Sequence, residues 1–184
     1  GMGETEGGRG IEQQIVELVD RQGGSDRPVL IGNNSLGLVS HRAGFDSLFI
    51  PREKLPRTEG GLGDVALISQ SGAFMITRMS KLDYLNPAYQ ISLGNQIDAR
   101  ISHFVEAVAA AEDAPSTFAV YIEGFKPGDG ERLASLVRRL VGEQDRDVIL
   151  YKAGRSSLGR TAAMGHTASI AGDYRVFADL MTDA

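Results

Sequence analysis

Apolar and polar positions fall in blocks along this chain, and the period of the blocks changes. Ile11, Ile15, Leu18 and Val19 recur at helical spacing and predict a helix over 11–22. Residues 1–10 are rich in Gly and Glu and read as a mobile tail. Val29–Ile31 reads as a short strand leading into the turn Gly32-Asn33-Asn34-Ser35-Leu36-Gly37. Between 38 and 63 the breakers Pro51, Pro56 and Gly60-Gly61 predict a long loop with room for a small hairpin.

From Val65 onward the pattern becomes regular. A strand over 65–69 feeds a helix over 72–82, and a strand over 89–93 ends at Gly94-Asn95. Asp98 is placed to cap a helix whose stripe is Ile101, Phe104, Val105 and Val108. Phe118–Ile122 is a buried strand ending in Glu123-Gly124, and a helix over 130–143 carries Leu133, Leu136, Val137, Leu140 and Val141. Val148–Tyr151 is a further strand. A loop of small residues runs from Gly154 to Gly172, and Tyr174, Phe177, Ala178 and Met181 begin a last helix. Strands alternating with helices define an α/β domain, a mainly parallel sheet with helices on both faces. Ligands of such sheets bind at the carboxyl ends of the strands. The segments opening at Asn33, Ser69, Gly94, Glu123 and Gly154 are therefore where chemistry is sought.

Composition narrows the classes. At 184 residues, 42% apolar and 23% charged, the chain is long enough for one full core. A net charge of −5 without a basic run speaks against nucleic acid as a partner. The absence of cysteine excludes a disulfide framework and thiolate metal sites, and no metal site is expected. No apolar run reaches membrane-spanning length, so a cytoplasmic protein without membrane contact is expected.

Three chemistries compete for the strand ends. Ser69-Gln70-Ser71-Gly72-Ala73 fits a nucleophile elbow, with Asp98 or Asp113 and then His166 following in the order of a serine triad. Gly154-Arg155-Ser156-Ser157-Leu158-Gly159-Arg160-Thr161 has the spacing of a phosphate loop, with Arg160 where a lysine is needed. His166, among small residues, is a candidate phosphoryl acceptor, because neutral imidazole is nucleophilic near pH 7. Glu123 could hold its tautomer, and the start of helix 72–82 offers free N–H groups and a positive dipole to an anion. His103 lies off its helix stripe and reads as solvated. His41 is assigned nothing.

The runs Ile68-Ser69-Gln70-Ser71-Gly72-Ala73, Ser92-Leu93-Gly94-Asn95, Tyr121-Ile122-Glu123-Gly124, Lys152-Ala153-Gly154-Arg155-Ser156 and Gly165-His166-Thr167 occur in one order. Together they resemble the nucleoside-diphosphate-forming acyl-CoA synthetases, relatives of the succinyl-CoA synthetase alpha subunit. The resemblance covers about residues 29–182. It departs from the family at Gly32-Asn33-Asn34, where Gly-Pro-Asn is usual, and at Thr167-Ala168.

The resemblance implies a flavodoxin-like three-layer domain over 29–184. Residues 1–28 would then be a tail and a helix left from a preceding CoA-binding domain. It implies His166 as the phosphorylated residue and Glu123 as the carboxylate that orients it. Ser69, Gln70, Ser71, Gly72 and Ala73 would be the phosphate cradle. Asn34, Gly94, Asn95, Gly165 and Thr167 are candidate substrate or loop contacts. CoA and Mg-ATP/ADP or GTP/GDP are implied for the complete enzyme, with phosphate at this domain. Implied partners are a CoA-binding domain, an ATP-grasp domain or subunit and a small carboxylic acid, with a homo-oligomer compatible. A non-catalytic regulatory or scaffolding module derived from the family is the alternative.

Overall fold

The computed structural model describes residues 5–24, 27–56, 63–82, 84–156 and 174–182. Helix α1 (Glu6–Gln22) is capped by Thr5, whose hydroxyl accepts from the Gly8 N–H at 3.1 Å. Residues 6–10, expected in a mobile tail, are therefore its first turns. The cap satisfies a first-turn donor in spite of two glycines. Strands β1 (Leu38–Ser40) and β2 (Phe45–Asp46) form the small hairpin. Then come β3 (Gly63–Ser69), α2 (Gly72–Lys81), β4 (Pro87–Ser92), α3 (Ile101–Ala109), β5 (Thr117–Ile122), α4 (Asp129–Gln144), β6 (Asp147–Lys152) and α5 (Tyr174–Thr182).

The six strands lie in the order β2-β1-β4-β3-β5-β6. The four strands β4, β3, β5 and β6 are parallel; β1 joins β4 and β2 in antiparallel pairs. Central β3 is a run of apolar residues because both its faces are covered. Ala66 and Ile68 enter a core with Phe118, Val120 and Ile122 of β5, Ile101 and Val105 of α3, and Leu133 and Leu140 of α4. Leu67 points the other way, toward Leu36 and Met75 of α2. The chain steps from β3 to β4 on one side, then crosses back to β5 on the other. That reversal opens a crevice between the carboxyl ends of β3 and β5.

Two expectations are corrected. Val29–Ile31 is not a strand; Leu30, Gly32 and Asn33 instead give their carbonyls to the N–H groups of Ala99, Ile97 and Asn95. Asp98 does not cap α3. Its N-cap is Arg100, whose N–H is accepted by Nδ1 of the exposed His103 at 3.2 Å. Asp98 is drawn away by Arg27, which donates to its two oxygens at 2.9 and 3.0 Å, and by the Leu30 N–H at 2.9 Å. Gly94 permits this docking. It has φ +62°, and a Cβ there would lie 2.0 Å from the Asn33 carbonyl oxygen. Gly94→Ala is expected to destabilise the fold by more than about 2 kcal/mol, read from the urea midpoint.

The Arg27 guanidinium, followed by the Leu30 N–H, holds the Asp98 carboxyl below its ordinary range against the cost of partial burial. The stabilisation is present above the unfolded value of about 4 and lost as pH falls through the lower folded value. Asp98→Asn is therefore expected to cost about 1–2 kcal/mol at pH 7. Urea midpoints at a series of pH values should show that difference shrinking below about pH 4.

Candidate functional site

The crevice at the switch in strand order is built by the residues that leave β3 and β5. Gln70 is 3% exposed, and its backbone N–H donates to the Tyr121 carbonyl at 3.2 Å. Its Oε1 accepts from the N–H groups of Glu123 and of Gly124, the latter at 2.9 Å. Its Nε2 donates to the Gly124 carbonyl at 2.6 Å. Gln96, 1% exposed, donates to the same carbonyl at 3.4 Å and accepts from the Ile101 N–H at 3.0 Å.

Beside this turn, α2 begins. Ser71 is its N-cap, in unstrained extended backbone (φ −97°, ψ 117°), and its Oγ accepts from the Phe74 N–H at 3.2 Å. Ser69 Oγ donates to the Ser71 carbonyl at 2.8 Å and accepts from the Ser71 N–H at 3.2 Å. The first-turn N–H groups of Gly72 and Ala73 have no acceptor in the helical ladder. They point, with the positive end of the helix dipole, toward the strand ends. A Cβ on Gly72 would stand 3.3 Å from Leu36 Cβ, so a small residue also serves close packing there.

Glu123 is 9% exposed and Lys152 7%. The Lys152 ammonium donates to the carbonyls of Glu123 and Ala153, both at 2.8 Å, which joins the ends of β5 and β6. Burial pushes the Lys152 ammonium pKa down, and the Glu123 charge opposes it. The Tyr121 hydroxyl hydrogen-bonds the Glu123 carboxylate. Its pKa is pushed up to about 12, first by burial and then by the Glu123 charge. The Tyr121 ring stacks on Phe74 of α2, centroids 4.1 Å apart, and on Tyr151 at 5.5 Å. The carboxylate is thus tied through one phenol to the first turn of α2.

Of the residues singled out from sequence, Ser69, Gln70, Ser71, Gly72, Ala73 and Glu123 meet at this crevice. His166, Gly165 and Thr167 lie outside the described residues, as do Arg160 and Thr161 of the phosphate-loop spacing. Asn34 is exposed with φ +57°. Asn95 follows β4, its N–H on the Asn33 carbonyl at 2.8 Å. The serine triad gains no geometry. Asp113 lies before β5, at the opposite end of the sheet, where Arg42 and Tyr89 engage it, and Asp98 is held by Arg27. Sequence reasoning assigned no role to Tyr121, Gln96 or Lys152. A lysine closing the apolar run Val148–Tyr151 was the one available signal.

A doubly wound sheet with parallel strand order β4-β3-β5-β6, and its polar crevice at the reversal, defines a flavodoxin-like domain. Residues 62–184 match the model of the succinyl-CoA ligase like flavodoxin domain, and the chain belongs to that family. It is 33% identical over 181 residues to the alpha subunit of ADP-forming acetate–CoA ligase II from Pyrococcus furiosus, covering 96% of this chain and 36% of that protein. It is 25% identical over 173 residues to an ADP-forming 4-hydroxybutyrate–CoA ligase from Nitrosopumilus maritimus, covering 92% of this chain and 23% of that protein. Among solved structures it resembles acetyl-coenzyme A synthetase 1 from Ca. Korarchaeum cryptofilum in complex with phosphate and ADP. The TM-score is 0.80 at 26% identity, over 98% of this chain and 36% of that one. The chain thus spans about a third or less of the length of these relatives. No helix among the described residues is long and apolar enough to cross a membrane.

The Tyr121 hydroxyl offers a direct check on the electrostatics. Spectrophotometric titration, taken as the difference from Tyr121→Phe, should show this tyrosine ionising near 12. Glu123→Gln should bring the value only part of the way back toward 10, because burial is the larger cause.

Proposed function

We propose that this chain is the phosphohistidine-bearing part of an ADP- or GDP-forming acyl-CoA synthetase. The complete enzyme interconverts acyl-CoA, nucleoside diphosphate and phosphate with free acid, CoA and nucleoside triphosphate. One observation carries the reading. The buried Glu123 carboxylate stands at the switch-point crevice, linked through Tyr121 and Phe74 to the N-terminus of α2. That pairing offers an imidazole-orienting carboxylate beside an anion cradle. The family and the names of the relatives support it.

One nitrogen of the His166 imidazole attacks the phosphorus of an acyl phosphate. A nitrogen–phosphorus bond forms, the phosphorus–oxygen bond to the acyl group breaks, and the carboxylate leaves. Glu123 accepts a hydrogen bond from the other ring N–H and so fixes the tautomer. The Gly72 and Ala73 N–H groups, with the Ser71 hydroxyl, receive the phosphoryl oxygens. The phosphoryl group then passes to a nucleoside diphosphate, held with magnesium by an ATP-grasp domain or subunit.

The exposed Ile11 and Leu18 of α1 support reading residues 1–28 as the end of a preceding CoA-binding domain. Asn33 has its side-chain amide buried without a partner among the described residues, as does Asn95 its Nδ2. Both suit a substrate contact at these loops. A cytoplasmic location fits this chemistry.

The test uses the native-length protein with its nucleotide-binding partner, magnesium and ATP labelled in the terminal phosphate. Acid-labile, base-stable label is expected on the tryptic peptide 161–175 and is expected to vanish in His166→Asn with the fold intact. Glu123→Gln should slow labelling without abolishing it. No label in the presence of a demonstrably active ATP-grasp partner would transfer the reading to a non-catalytic module of the family.

A further inference from the structure

Both polar atoms of the buried Gln70 carboxamide are engaged by the turn after β5. The parallel ladder between β3 and β5 ends at the pair Ser69 and Tyr121, and that between β5 and β6 at Ile122 and Lys152. Glu123 and Gly124 lie one and two residues beyond, where no strand supplies partners. The Gln70 carboxamide takes the place of the missing strand. It receives the N–H groups of Glu123 and Gly124 and donates to the Gly124 carbonyl. Gln96 supports the same carbonyl from the loop between β4 and α3, and Lys152 holds the Glu123 carbonyl from β6. Both peptide groups that flank the Glu123 Cα are thereby fixed from outside their own strand.

We propose that Gln70 is a positioning residue that holds the Glu123 backbone, and through it the carboxylate, rather than a ligand of the phosphoryl group. The proposal deepens the relay reading above and rests on it. A carboxylate that must meet one imidazole nitrogen loses much of its effect when displaced by about 1 Å. Its own side chain meets the Tyr121 hydroxyl, and the backbone beneath it sets where that carboxylate starts. A buried amide that pairs two donors and one acceptor holds that backbone, and the low dielectric makes each bond costly to leave unmade.

Two readouts test this. In this chain, NMR-detected amide exchange at Glu123 and Gly124 is expected to accelerate at least about tenfold in Gln70→Met, with little change in the ladder N–H groups of Ala66–Ile68. In the complete enzyme, Gln70→Met is expected to slow His166 labelling by about tenfold or more while KM for inorganic phosphate stays within about twofold. In a Glu123→Gln background the same substitution is expected to cost less than about twofold, because the group it positions is already impaired.

A raised KM for phosphate with unchanged exchange rates would make Gln70 a phosphate ligand and overturn the proposal. Additive losses with Glu123→Gln would overturn it too. Absence of label in the unmodified enzyme would instead overturn the relay, and with it this role, while the exchange rates still report whether the clamp exists. The two failures are thus distinguishable.

Discussion

The parallel pairing of β3 with β5 is the constraint on which the rest of the molecule depends. Its five register pairs run from Val65 with Thr117 to Ser69 with Tyr121. Both strands are buried on one face by α3 and α4, while α2 covers Leu67 and Ala119 on the other. Burying residues such as Phe118 and Ile68 completely is worth roughly 2 kcal/mol each relative to exposure. This packing is therefore what sets the spacing of the two strand ends. The polar crevice is a by-product of that geometry. Two neighbouring strands release their chains in opposite directions, and the gap fills with Gln70, Glu123 and the start of α2.

Charge is admitted to this interior only with partners. The buried Lys152 spans two carbonyls, and the buried Glu123 faces Tyr121 and the Lys152 charge. An isolated ion at such depth would cost several kcal/mol. The arrangement holds a buried carboxyl group close to a helix N-terminus while denying it bulk water.

Much of this was legible in the sequence where local pattern and tertiary packing agree. Val65–Ser69 and Phe118–Ile122 are apolar because they are central strands, and Ser71 is a cap by residue type as well as by position. Glu123 could be placed at a strand tip from the run before it. Reading failed where a long-range partner outbid a local preference. Asp98 stands where a cap is expected, but Arg27, 71 residues away in sequence, claims it. Val29–Ile31 has strand propensity and no strand to pair with, so it docks on the loop after β4 instead. Leu38–Ser40 lies in the small hairpin that was expected, but its pairing with the edge of β4 was not. The role of the Gln70 amide lay in a partner 53 residues on, beyond any local pattern.

The same separation has a kinetic side. The Gln70 carboxamide and the turn it grips lie 53 and 54 residues apart in sequence, so bringing them together costs chain entropy that local contacts do not. The crevice therefore cannot exist in any partly folded form that lacks the β3–β5 ladder, and it appears late, with the non-local contacts that slow folding. The hydrogen bonds it makes are buried, so exchange at the Glu123 and Gly124 amides reports opening of this turn. A chain without the β3–β5 ladder presents no half-built crevice, because both of its walls are the ends of those two strands.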